Sequence, residues 1–126
     1  MNNLLLVAIG GSIGASLRYI FYLVSKSIFF PNYFFINTLF VNIVGSFFIG
    51  YILMLVGNKN LSQDFIKYFF VIGILGSFTT FSTFSLETVE LLSNKRFLIA
   101  FIYIFSSLFL CLLFTFVGLN LNKIIN

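Results

Sequence analysis

The sequence predicts an all-α integral membrane fold: a single domain of four transmembrane helices, the third of them interrupted. Three observations predict it. Hydrophobic residues make up 60% of the 126 residues and charged residues only 8%, whereas an ordinary soluble chain is about 25% charged. So much apolar surface needs lipid as its solvent. Four apolar runs, roughly 4–24, 33–56, 65–86 and 97–119, each reach the ~20 residues with which a helix crosses a bilayer core. The third run also carries glycines and hydroxyl residues where a plain span would hold Leu and Ile.

The first run resembles a secretory leader in hydrophobicity but has no basic start, holds Arg18 in its interior and is followed by three more runs. It is therefore expected to be a true span. Gly10 and Gly14 form a GxxxG pattern, which permits close helix contact without implying a dimer. In the second run Thr38, Asn42 and Ser46 recur every four residues, on one helix face, with Gly45 and Gly50 beside them. Polar breaks separate the runs: Ser25-Lys26-Ser27 through Pro31-Asn32, Gly57-Asn58-Lys59-Asn60, and Glu90 through Lys95-Arg96.

The third run reads Gly73-Ile74-Leu75-Gly76-Ser77-Phe78-Thr79-Thr80-Phe81-Ser82-Thr83-Phe84. Ser and Thr compete for backbone hydrogen bonds and favour helix starts, so an interruption is expected near 76–80. Non-helical backbone at membrane depth is tolerated only where it is buried in protein or lines a cavity. Freed carbonyls such as those of Gly76 and Thr79 could then coordinate a small cation, and the N-terminus of the second half would face an anion. Phe81 and Phe84 share a face of that half, with Glu87 one turn further along. A phenyl ring has positive edges, which can hold a small anion weakly enough to release it, as conduction requires.

In the fourth run Tyr103, Ser107, Cys111 and Thr115 form a stripe of the same four-residue period. A single Ser or Thr in a span ordinarily bonds back to the i−4 carbonyl or joins helices at ~0.6 kcal/mol per contact. Two regular stripes and an intramembrane Asn favour a lined pathway instead.

The charges exclude more than they assign. The net charge of +4 is spread over single residues, so no basic patch points to nucleic acid. With no His and one Cys, the usual metal-ligand sets and an intrachain disulfide are ruled out, and Cys111 reads as a small buried thiol. Glu87 and Glu90, three apart, read as a solvated helix end and not a catalytic pair, so no enzyme reading survives. Lys59, Lys67 and Lys123 fall on the side of the termini, and Lys26, Lys95 and Arg96 on the other. Three against three leaves almost no orienting bias, which permits, without requiring, insertion both ways and an antiparallel homodimer.

Taken together, the stretches Gly10-Gly11-Ser12-Ile13-Gly14-Ala15-Ser16-Leu17-Arg18-Tyr19 and Thr38-Leu39-Phe40-Val41-Asn42-Ile43-Val44-Gly45-Ser46-Phe47, with the third-run segment above, resemble the Fluc (CrcB) family of microbial fluoride channels. The resemblance covers three of the four spans in the family's order. It implies an antiparallel dual-topology homodimer in the cell membrane, with two pores passing fluoride passively. It further implies Asn42 as a pore amide donating to the ion, Phe81 and Phe84 as pore-lining rings, and Tyr103, Ser107 and Thr115 as a polar track. Thr38 and Glu87 correspond to further pore-lining positions, and Arg18 to the basic residue of the aqueous vestibules. The carbonyls of Gly76 and Thr79, four from two chains, correspond to ligands of a structural sodium ion at the dimer centre. Two positions depart from the pattern: Cys111 stands where Ser is usual, and Asn37 where Gly is expected.

The main rival is a small proton-coupled multidrug exporter, also four spans with weak charge bias. It needs a titratable group within the membrane, and the first span has Arg18 and no acid. A non-transporting assembly subunit is the other rival, and it would have no need of Asn42 or of ordered polar stripes.

Overall fold

The computed structural model describes residues 2–28, 34–57 and 63–125, and every regular element among them is helical. Helix α1 is Asn2–Ile28 and α2 is Phe34–Gly57. Helix α3 runs over 63–78, with a short α-helical start, a π-helical stretch at Ile66–Leu75 and a closing α turn at Gly76–Phe78. Helix α4 is Phe81–Ser93, α5 is Phe97–Leu119 and the short α6 is Leu121–Ile125. Four stretches are long and apolar enough to cross a bilayer: Asn2–Ser27, Phe34–Gly57, Gln63–Ser93 and Phe97–Leu119. The breaks expected around Pro31-Asn32 and Asn58-Lys59-Asn60 lie outside the described residues, as do Tyr33 at the start of the second expected span and Lys59 of the orientation count.

Two helix pairs organise the bundle. Helix α1 lies along α3, and α2 along α5. Glycines set both distances. A Cβ on Gly10 would collide with the Phe69 carbonyl, and one on Gly14 with the Ile74 carbonyl. The GxxxG pattern thus packs against the chain's own third span. Gly50 and Gly118 do the same for the second pair, each meeting backbone of the opposite helix. Without a hydrophobic drive between helices in lipid, such close backbone approach is what holds spans together.

The chain passes from α3 to α4 through two extended residues, Thr79 (φ −79°, ψ 158°) and Thr80 (φ −153°, ψ 119°). Thr80 caps α4, its hydroxyl accepting from the Thr83 N–H at 3.2 Å, which meets one of the N–H groups a helix start leaves free. Helix α4 continues to Ser93, past the span end expected at 86. The polar residues that looked like a span terminus divide between two faces: Glu87, Thr88 and Leu91 are buried, while Leu86, Val89 and Glu90 are exposed. A tight turn then reverses the chain. Lys95 adopts φ 58°, and the Lys95 and Arg96 N–H groups close on Leu92 and Leu91 carbonyls.

A compact apolar cluster of Phe84, Leu91, Ala100 and Tyr103 joins α4 to α5, with Phe35 and Leu39 of α2 against it. Most other large apolar side chains, Leu4, Leu98, Phe105 and Leu112 among them, stand on the outside. An apolar exterior this extensive is a lipid-facing surface.

Candidate functional site

Two crevices meet at Thr80. The first, of about 240 Å³, lies between α1, α2 and α4 and is lined by Arg18, Asn37, Thr38, Thr80, Thr83 and Glu87 among others. The second, of about 320 Å³, lies between α2, α4 and α5, with Asn42, Ser46, Thr80, Phe81, Phe84, Ser107 and Cys111 on its walls.

The extended step at Thr79 and Thr80 is braced by α2. The Thr80 N–H donates to Asn42 Oδ1 at 2.8 Å, and Asn42 Nδ2 donates to the Thr80 carbonyl at 3.1 Å. A primary amide has two N–H groups, so one remains for the crevice. Gly45 gives room beside it: a Cβ there would collide with Thr79 Cγ2. Thr80 Oγ1 donates to Thr83 Oγ1 and also lies 3.1 Å from Ser82 Oγ. The Ser/Thr cluster is thus one hydroxyl network around the start of α4.

Glu87 is the centre of a second network. It is 7% exposed, with Thr38 Oγ1 donating to one carboxylate oxygen at 2.8 Å and the Tyr103 hydroxyl to the other at 2.7 Å. The expectation of a solvated helix end at Glu87 and Glu90 therefore holds for Glu90 only. Glu87 is buried because α4 turns that face toward α2 and α5, and one hydroxyl from each helix meets its oxygens. Nothing in residue spacing revealed this, since Thr38 and Glu87 lie 49 positions apart.

Aromatic rings connect the networks. Phe81 and Phe84 lie 5.4 Å apart between centroids, Phe84 and Tyr103 5.1 Å, and Tyr103 and Phe35 5.4 Å, all tilted. The two phenylalanines differ in setting: Phe84 is 9% exposed and Phe81 73%. Tyr103 and Phe35 extend the ring series beyond the two residues singled out by sequence.

The stripes divide in space. Thr38 opens on the first crevice, whereas Asn42 and Ser46 line the second. A four-residue step advances about 40° around a helix, so a stripe of three turns from one wall to the next. On α5, Ser107 is 6% exposed and its hydroxyl has no partner among the described residues, while Cys111 is half-buried beside it. Thr115 bonds back to the Cys111 carbonyl at 2.9 Å, the ordinary behaviour of a Thr in a span. Arg18 is half-buried on the first crevice. Gly76 is exposed, and the N–H that would close on its carbonyl in a continuous helix, that of Thr80, goes to Asn42 instead. Likewise the Thr83 N–H, four residues beyond Thr79, donates to the Thr80 hydroxyl.

Comparison with known proteins gives one consistent family. The family model described as "CrcB-like protein, Camphor Resistance (CrcB)" matches residues 5–119. Among curated relatives, a protein of Campylobacter hominis named "Fluoride-specific ion channel FluC" is 42% identical over 124 residues, 98% of each chain. Proteins of the same name from Shewanella baltica and Campylobacter jejuni are 45% and 44% identical, covering 96% of this chain and 96% of the first, and 98% of this chain and 99% of the second.

Proposed function

Because the chain belongs to the CrcB-like family, we propose that it is a fluoride-selective channel of the plasma membrane, a multi-pass protein that lets fluoride leave the cytoplasm passively. One observation carries the reading beyond the shared name of the relatives. The second crevice is lined by hydrogen-bonding, aromatic and aliphatic side chains, with no ionised group among the residues that wall it. An anion can bind there weakly and leave, as conduction requires.

In this reading Arg18 draws anions toward the first crevice. Thr38 and Tyr103, held by Glu87, border the passage between the crevices. The free N–H of Asn42, the edges of Phe84 and Phe81 and the unpartnered Ser107 hydroxyl then serve the ion in series, with Thr115 at the end of the track. Cys111 interrupts it with a weaker donor. A proton-coupled drug exporter is not favoured: the relatives carry a channel name, and the first span offers Arg18 and no acid.

The finer architecture belongs to the same proposal. The third membrane span is interrupted at Thr79 and Thr80, two copies pack antiparallel, and each dimer holds two pores. The near-equal charge of the two sides supports insertion in both directions. A sodium ion at the dimer centre fits the donor set, because the extended step draws the N–H groups of Thr80 and Thr83 away from the carbonyls of Gly76 and Thr79. Such carbonyls are hard oxygen ligands. Once bound, the ion would offset the carbonyl dipoles gathered there from two chains.

The test is fluoride efflux from liposomes containing the purified protein, followed with a fluoride electrode, with chloride efflux as control. Rapid loss of fluoride without loss of chloride is expected. No fluoride loss from folded protein would overturn the reading and direct the next assay to export of a cationic drug under a proton gradient.

A further inference from the structure

We propose that the first crevice is a binding station for a partly hydrated fluoride ion, with the side-chain amide of Asn37 as its principal ligand. The ion's identity rests on the channel reading. The station itself rests on an unmet hydrogen-bonding demand. Asn37 is 4% exposed, yet neither its Nδ2 nor its Oδ1 has a partner among the described residues. A buried amide offers two donors and a carbonyl acceptor, and burying such groups unpaired is costly enough to be rare in folded proteins. The crevice that Asn37 lines has room for the missing partner.

The other walls decide its charge. Arg18 brings a permanent cation to the crevice. Glu87, the one acid among the lining residues, already accepts a hydroxyl on each carboxylate oxygen. Thr83 Oγ1 accepts from Thr80, so its own proton is free to be donated. Amide, guanidinium and hydroxyl donors thus share one small space with Glu87, whose oxygens are engaged by Thr38 and Tyr103, so an anion answers the three free donors while a cation would face Arg18. The amide oxygen needs a donor as well, and a water retained on the ion supplies it. A crevice of about 240 Å³ has room for an ion with several waters.

The station also stands in the right order. Asn37 and Asn42 are five residues apart on α2, about 140° around the helix, and each residue lines a different crevice. Thr80 borders both. The ion therefore exchanges part of its water for Asn37 before it reaches the uncharged aromatic crevice, where the Asn42 amide receives it.

The experiment compares the wild-type protein with Asn37→Ala and Asn37→Ser, measuring fluoride efflux over a range of fluoride concentrations and the thermal stability of each protein in sodium fluoride against sodium chloride. Loss of one charge-assisted hydrogen bond predicts a half-saturating fluoride concentration about tenfold higher in N37A, with the maximal rate within about twofold of wild type. N37S, which keeps one donor, falls between. The fluoride-specific rise in melting temperature should shrink in the same order. Unchanged half-saturation and an unchanged thermal shift in N37A would mean that Asn37 holds water only, and a lower maximal rate with unchanged half-saturation would make its role structural. Either result overturns the station and leaves the channel reading standing. Absence of efflux from the wild type would overturn the channel reading, and the thermal shifts would still decide whether Asn37 binds the ion. If N37A does not fold, N37S against wild type carries the same comparison.

Discussion

The two crevices that meet at Thr80 share α2 and α4, with α1 closing the first and α5 the second, and they differ in chemistry. The first contains both ionisable side chains of the region, Arg18 and Glu87, together with the Asn37 amide, which has no partner among the described residues. The second has neutral donors and rings, Asn42, Ser107, Cys111, Phe81 and Phe84 among them, with aliphatic Ile49, Leu108 and Leu112 beside them. Coulomb attraction explains why the division is useful. A full charge ~4 Å from an ion is worth about 4 kcal/mol at an effective dielectric of 20. That is ample for gathering ions from water and too much at every step of a pathway that must also release them. In the proposed channel, formal charge serves the mouth, and rings and amide hydrogens serve the interior.

The strongest way to break this comparison is to move a charge from one crevice to the other. Asn42→Asp places a carboxylate in the neutral crevice and beside the Thr80 carbonyl that the Asn42 amide now donates to at 3.1 Å. Repulsion of the size just given predicts that fluoride efflux falls about a hundredfold or more. Wild-type flux in that variant would remove Asn42 from the pathway.

A pair of variants sharpens the division. Phe84→Leu removes a buried ring that touches both Phe81 and Tyr103 while keeping an apolar side chain. Its expected loss of flux is about tenfold and independent of salt, since short-range ring-edge contacts are not screened. Arg18→Gln acts on approach instead. Its loss should be about threefold to tenfold in low salt and should shrink above ~0.15 M, where the Debye length drops below ~8 Å. Efflux measured at two ionic strengths separates the cases, and a salt-independent effect of Arg18→Gln would place its role in packing.

The same contrast explains what could be read from the sequence. The four spans were legible because apolar runs of about twenty residues have one stable environment. Gly and clustered Ser and Thr marked 76–80 as unusual for the middle of a span, and Thr79 and Thr80 have extended backbone angles there. Roles that depend on which helices meet were not legible. Glu87 looked like a wet helix end until α2 and α5 supplied Thr38 and Tyr103. The brace between Asn42 and Thr80 joins residues 38 positions apart. Asn37 stood out only as a departure from an expected glycine, and its lack of a partner among the described residues is a property of packing. The periodic stripes carried half their meaning: period four located the polar faces, but the drift of about 40° per step set Thr38 and Asn42 on different walls.

The smallest expected effect tests that function is confined to the crevices. Lys95 occupies the turn between α4 and α5 with φ 58°, a left-handed conformation that costs a residue with a side chain roughly 1 kcal/mol and that glycine adopts freely. The hydrogen bonds from Lys95 and Arg96 N–H to the Leu92 and Leu91 carbonyls are backbone bonds that glycine preserves, so Lys95→Gly keeps the turn. Its gain is partly offset by the greater freedom of glycine in the unfolded chain, leaving a stabilisation of about 0.5 kcal/mol. Lys95 lines neither crevice, so fluoride efflux should match wild type while the melting temperature rises slightly. A change in flux without a change in stability would mean that the charge at this helix end helps draw the anion in, and the electropositive mouth would then extend well beyond Arg18.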